Sequence, residues 1–202
     1  MRLIGRDLSP YTRKVAIWCA IQGRPLERSA LAATDPKDAE AIKAHHPGLR
    51  VPALVLDDGT TLVDSFAICD WLDDSAPDKR LVPATGLERR TCMQRIALAH
   101  ATTEKIVGLV YETNRRPEAY HWPDWRDRLV VQITGGFEAM EAAAPTAYYG
   151  GDTPDGADIA TVCAYQMAEA TNSWVLRDSW RGLKGLADRA MTIPAFKDTY
   201  PG

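Results

Sequence analysis

Val51-Pro52-Ala53-Leu54-Val55-Leu56-Asp57-Asp58-Gly59-Thr60-Thr61-Leu62-Val63-Asp64-Ser65 decides the fold. Val51 to Leu56 and Thr60 to Val63 are apolar, β-branched runs, and Asp57-Asp58-Gly59 between them supplies turn residues, the pattern of a strand–turn–strand hairpin. Ser65 to Asp74 follows at once with Phe66, Ile68, Cys69 and Leu72 at helical spacing. Upstream, Met1 to Gly5 is a short apolar strand. Pro10 to Gln22 has Val15, Trp18, Cys19 and Ile21 on apolar helical positions and Gly23 as a stop. Leu26 to Leu31 is weakly strand-like, and Pro36 to Ala44 is a short polar helix that Pro47-Gly48 breaks. The order β-α-β-α-β-β-α implies a mixed sheet covered by helices.

Downstream the pattern changes. Pro77 to Gly86 holds two prolines and a glycine and loses helical periodicity. Leu87 to Asn114, Asp124 to Ala144, Ala157 to Asn172 and Leu183 to Ala190 are then helical, with a last turn at Pro194 to Thr199. Pro117 to Pro123, which includes Tyr120 and Trp122, separates the first two. The fold class is α/β plus all-α: a domain over 1–76 with a mixed four-stranded sheet, a linker over 77–86 and an all-helical domain over 87–202.

Composition excludes several functions. The 202 residues are 46% hydrophobic and 25% charged, ordinary for a globular protein able to bury a core. The net charge of −3 argues against a non-specific nucleic-acid binder. The apolar run Val15 to Ile21 is too short to span a bilayer, and no secretory leader is visible after Arg2 and Arg6. Cys19, Cys69, Cys92 and Cys163 form no CxxC pair, so neither a disulfide framework nor a zinc site is expected, and the expected compartment is the cytoplasm.

Three short motifs carry chemistry, each with two readings. Ser9-Pro10-Tyr11 opens the first helix. Ser9 either only caps it, or its hydroxyl, beside free amides and the positive end of the dipole, stabilises an anion. If that anion is a thiolate, its pKa falls. Pro52 is either an ordinary edge proline or a cis residue that turns Val51 towards a peptide ligand. Asp64-Ser65 is either a capping pair or a clamp in which Asp64 takes an ammonium group while Ser65 and the helix amides take a carboxylate. Tyr11 and Thr12 are rival hydroxyls to Ser9, ranked lower because side chains inside the first turn diverge from the cap direction.

In their joint order these motifs resemble the glutathione transferase family. The residues are Ser9-Pro10-Tyr11-Thr12-Arg13-Lys14-Val15, His46-Pro47-Gly48-Leu49-Arg50-Val51-Pro52 and Asp64-Ser65, with Asp155-Gly156-Ala157-Asp158-Ile159-Ala160 similar to that family's capping box. The resemblance spans nearly the whole chain and implies a thioredoxin-like N-terminal domain. It implies that Ser9 donates to the sulfur of glutathione and that Arg50 meets the glycyl carboxylate. Val51 would pair with the cysteinyl part beside a cis Pro52, and Asp64 and Ser65 would hold the γ-glutamyl amine and carboxylate. His46 stands where the family usually has Asn, Gly48-Leu49 reverses the common order, and Asp155 replaces Ser or Thr. The serine form is similar to the tau and zeta classes, and no cysteine stands at the Ser9 position.

The implied activity is conjugation of the glutathione thiolate to a small hydrophobic electrophile, without a metal. Its expected pocket is contributed by Tyr11, Tyr111, Asn114 and Arg115. Two rivals are a zeta-type glutathione-dependent isomerase, although the serine-serine-cysteine run of that class is missing, and a non-catalytic glutathione-binding scaffold of the same fold. The resemblance also implies a detoxifying homodimer with no nucleic-acid or membrane partner, with candidate contacts near Asp64 to Trp71 and Leu87 to Met93.

Overall fold

The computed structural model describes residues 1–200; positions 201 and 202, the end of the expected helical half, lie outside the described residues. The chain forms two compact units, Met1–Leu81 together with the chain from Ile193, and Val82–Thr192.

In the first unit β1 (Arg2–Ile4), β2 (Glu27–Ser29), β3 (Ala53–Val55) and β4 (Thr61–Val63) form one sheet in the order β2-β1-β3-β4. β1 runs parallel to β2 and antiparallel to β3, and β4 is antiparallel to β3. Leu3 and Leu54 face each other across the central pair, and both are fully buried. The edge strand β2 carries Glu27 and Arg28 exposed, which discourages edge pairing with another chain. Helix α1 (Pro10–Ile21) packs against β1, against α3 (Ser65–Asp74) and against α8 (Pro194–Lys197). With three sides covered it is buried almost all round, from Pro10 to Cys19 with only Tyr11 half-exposed. The small helix α2 (Ala39–Lys43) follows a 3-10 turn at Pro36–Asp38, where periodicity alone reads one helix. At the far end of α1 the buried Asp73 carboxylate accepts from Trp18 Nε1 at 2.8 Å, Gln22 Nε2 at 2.9 Å and the Leu81 amide at 3.1 Å. One acceptor thus ties α1, α3 and the chain beyond them together.

Periodicity assigns Pro194 to Thr199 to the helical half, yet that segment packs with the first unit. The cause is on α1. The Arg13 guanidinium donates to Phe196 O at 3.1 Å and to Thr199 Oγ1 at 3.3 Å, and Phe196 is fully buried.

The second unit is helical: α4 (Gly86–Asn114), α5 (Pro123–Ala142), α6 (Gly156–Asn172) and α7 (Arg181–Ala190). α4 packs on α5 and α6, and α7 on α5 and α6. A Cβ on Gly136 would lie 2.1 Å from Thr102 Oγ1, so the approach of α5 to α4 needs glycine there. Glu141 of α5 caps α7 from outside, accepting from Gly182 N at 2.9 Å and Leu183 N at 2.8 Å. Among the described residues no helix is long and apolar enough to cross a membrane. All four cysteines are buried, and none is in a disulfide. Burial pushes the Cys19 thiol up to about 11 and Cys92 up to about 12, so neither is a nucleophile at neutral pH.

The capping box of α6 is formed. Asp155 Oδ1 accepts from Ala157 N at 2.7 Å and Asp158 N at 3.1 Å, and Asp158 answers from the Asp155 amide at 2.9 Å. Asp158 also accepts from Tyr149 N at 2.9 Å and Gly150 N at 3.3 Å, which fixes the preceding loop. Burial pushes its carboxyl up to about 7; its amide donors pull the other way, and the Asp155 charge adds to the rise. A carboxyl raised in the folded chain keeps its proton better there than when unfolded. Its stabilising contribution is therefore complete below about pH 4 and is lost as pH rises towards 7. In urea unfolding, wild type should lose about 2 kcal/mol relative to Asp158→Asn between about pH 5 and about pH 7.5; a difference that is flat, or that grows with pH, contradicts this.

Candidate functional site

Strand register assembles the site. Ile4 pairs with Ala53, and Ala53 pairs with Val63. The residues that leave or enter these three strands at that level therefore share one edge of the sheet: Gly5 and the loop to Ser9, Val51-Pro52 ahead of Ala53, and Asp64-Ser65 after Val63. Helix α1 begins from the first and helix α3 from the last, so two helix amino termini meet there with their unsatisfied amides and partial positive charge.

Ser9 is the N-cap of α1 in extended conformation, half-buried, and its Oγ accepts from the Thr12 amide at 3.3 Å. Its carbonyl accepts the first helical bond from Arg13 N at 2.9 Å, and its own amide donates to Arg6 O at 3.0 Å. The hydroxyl therefore keeps its proton to donate. Tyr11, one residue into the helix, is half-buried. Thr12 is fully buried, and its hydroxyl has no hydrogen-bond partner.

Gly5 explains where Thr12 lies. A Cβ at residue 5 would fall 2.4 Å from Thr12 Oγ1 and 3.0 Å from Val51 Cβ, and the backbone there has φ +129°. Strand end, helix turn and Val51 touch because residue 5 has no side chain.

The Val51–Pro52 peptide is cis, as the resemblance implies. Val51 is half-buried and lies just outside the ladder, which starts at Ala53. Before it, His46 Nδ1 accepts from Gly48 N at 3.0 Å. That is the residue-to-second-neighbour bond an asparagine side chain makes in an Asx turn, so His46 supplies an Asx-like local contact. The reversed Gly48-Leu49 order leaves Leu49, not glycine, at φ 54°. Arg50 follows and is exposed.

Asp64 is exposed, caps α3 from a left-handed φ of 68°, and accepts from Phe66 N at 2.8 Å. Ser65, the first residue of α3, is buried. Ser9, Val51, Asp64 and Ser65 are thus gathered on one edge, and Arg50 precedes Val51 on the same loop. Tyr111, Asn114 and Arg115 belong to the second unit, all exposed at the last turn and C-cap of α4. Nearby, the buried Glu112 holds the following connection by accepting from Trp122 N at 2.9 Å. A cleft of about 440 Å³ lined by Arg24, Leu56, Asp58 and Trp71 opens at the Met1 end of β1, opposite to the Ser9 end. Among the described residues no group of His, Cys, Asp or Glu is placed to hold a metal ion. Sequence reasoning passed over Gly5 as a contact residue, although a glycine directly after a strand is itself a signal of close backbone approach.

Comparison with known proteins gives concordant results. Residues 8–75 match the family model described as glutathione S-transferase, N-terminal domain. The chain is 27% identical to a maleylacetoacetate isomerase from Pseudomonas aeruginosa, over 97% of this chain and 92% of that protein. Its structure is similar to a glutathione S-transferase from Methylobacterium radiotolerans in complex with glutathione sulfonate (TM-score 0.90, 28% identity, 99% of this chain and 94% of that one). It is also similar to a glutathione S-transferase from Methylobacillus flagellatus with glutathione bound (TM-score 0.89, 26% identity, 100% and 99%).

Gly5→Ala should destabilise the chain by about 2–4 kcal/mol in chemical denaturation, through overpacking and the unfavourable φ. In a Thr12→Ala background the same substitution should cost at least about 1 kcal/mol less; equal losses in both backgrounds contradict the contact.

Proposed function

We propose that the chain is a member of the glutathione transferase family that binds glutathione along the edge where α1 and α3 begin and transfers its thiolate to a small hydrophobic electrophile. The observation that carries this reading is the register that brings both helix termini to one edge with Val51 between them. Ser9 Oγ donates to the sulfur. Val51 pairs with the cysteinyl backbone, Asp64 takes the γ-glutamyl ammonium, Ser65 and the α3 amides take its carboxylate, and Arg50 meets the glycyl carboxylate. The proton leaves the thiol for solvent. The sulfur lone pair then forms the S–C bond while the leaving group departs with its electron pair; in an addition, the carbanion takes a proton from solvent. The chain's part is to hold the ionised sulfur and to orient it.

A second reading has one observation in its favour, the alignment of nearly the whole chain with a maleylacetoacetate isomerase. There the thiolate adds to a cis double bond, the new single bond rotates, and elimination returns glutathione. Both reactions use the same seat at Ser9. Assaying conjugation with an activated aryl halide beside isomerisation of a maleyl-type substrate separates them.

The proposal includes a cytoplasmic setting, supported by four buried cysteines outside any disulfide. It also includes a detoxifying homodimer, for which Leu87, 64% exposed at the start of α4, is the candidate contact.

A hydrogen bond to a charged group contributes about 1.5–3 kcal/mol. Ser9→Ala should therefore lower kcat/KM for conjugation about 10–100-fold and raise the apparent pKa of the bound thiol by about 1–2 units. Lost capping should reduce stability by only about 1 kcal/mol. A Ser9→Ala protein with unaltered rate and thiol pKa would sink the assignment.

A further inference from the structure

Two cations follow Ser9 in the sequence, and both are buried. Arg13 is 2% exposed and Lys14 5%. Burying a charge is costly unless an opposite charge compensates it. Here the partners are neutral. Arg13 donates to Thr199 Oγ1 and Phe196 O, and its guanidinium carbon lies 5.7 Å from the centre of the Tyr200 ring. Lys14 Nζ lies 4.5 Å over the ring of Phe66, the second residue of α3.

The charged groups on the elements packed against α1 are few. They are Arg2 of β1, Asp64, Asp70, Asp73 and Asp74 around α3, and Lys197 and Asp198 near the C-terminal segment. Asp64 accepts from the Phe66 amide, and Asp73 is engaged with Trp18 and Gln22 at the other end of α1. Among the described residues none forms a salt bridge with Arg13 or Lys14. The amino end of α1 therefore carries two positive charges in addition to two helix termini. Among the described residues, nothing on the elements around it neutralises them at close range.

We propose that Arg13 and Lys14 are positioning residues that form a buried cationic backing behind the seat at Ser9, stabilising the thiolate of bound glutathione through their field without touching it. The inference rests on the proposed function and adds to it the source of the positive potential. Two unit charges on the order of 10 Å apart, at an effective dielectric of about 20, move an ionisation by about one pKa unit. Buried charges are also screened less by salt than surface ones.

The test uses the full-length chain with Arg13→Met, Lys14→Met, the double variant, and the charge-keeping Arg13→Lys and Lys14→Arg. Two quantities are read: the pH profile of kcat/KM for conjugation with an activated aryl halide, and the Kd of S-methylglutathione, which has no thiol to ionise. Each methionine variant should move the acidic limb up by about half to one pH unit, and the double variant by more. S-methylglutathione binding should stay within about twofold, and the charge-keeping variants should retain the wild-type limb. Lys14→Gln carries the same test if a methionine variant does not fold. Thr199→Val, which removes one bond to Arg13 but no charge, should leave the limb in place. The inference is overturned if the folded double variant has an unmoved limb. It is equally overturned if S-methylglutathione binding weakens in step with the loss of kcat/KM, or if Thr199→Val acts like Arg13→Met. A wild type that neither conjugates nor binds S-methylglutathione overturns the functional reading itself, and this inference with it.

Discussion

The contact between Gly5 and Thr12 sets the position of everything around the site. Thr12 Oγ1 occupies space where any side chain on residue 5 would lie, 2.4 Å from the would-be Cβ. That closeness draws the first turn of α1 down onto the end of the central strand and against Val51. The helix terminus then faces the peptide that enters β3. A looser junction would leave the Ser9 hydroxyl and the α1 amides pointing at solvent, where a partial charge is screened within a few ångströms.

A second constraint acts from behind. α1 has no free face: β1, α3 and the C-terminal segment each cover part of it. Asp73 fixes its far end, and Arg13 binds the C-terminal segment to its near end. Helices buried on all sides transmit little rotation, because interiors are close-packed. The amino terminus is therefore pre-oriented before any ligand arrives. Pre-orientation matters because an electrostatic site that must reorganise loses much of its stabilising effect at the moment of reaction.

Most of the chain's elements were legible in the sequence because their signals are local. The Asp57-Asp58-Gly59 turn places β3 and β4, and Ser9-Pro10 marks the start of α1. The Ser65–Asp74 helix agrees with its apolar spacing to the residue. The mixed sheet follows from that order, the thioredoxin-like half from the family resemblance, and the capping box at Asp155 and Asp158 is a four-residue pattern readable without a fold. What was not legible is long-range. No periodicity tells a six-residue turn at Pro194 that it will dock on α1 rather than stay with the helices before it. No local pattern marks Arg13 and Lys14 as buried, and only packing from three directions makes them so. The His46 turn is a third kind of case: a departure from the family's residue that looks like a defect until its ring nitrogen is seen accepting from Gly48 N.

The proposed seat for the sulfur of glutathione is the amino end of α1. The most direct measurement is a crystal structure of the whole chain grown with the tripeptide. The sulfur should lie within hydrogen-bonding reach of Ser9 Oγ, the cysteinyl backbone alongside Val51 and the γ-glutamyl group at the start of α3. A tripeptide found in the cleft by Trp71, or one whose sulfur points away from Ser9 into solvent, would contradict it.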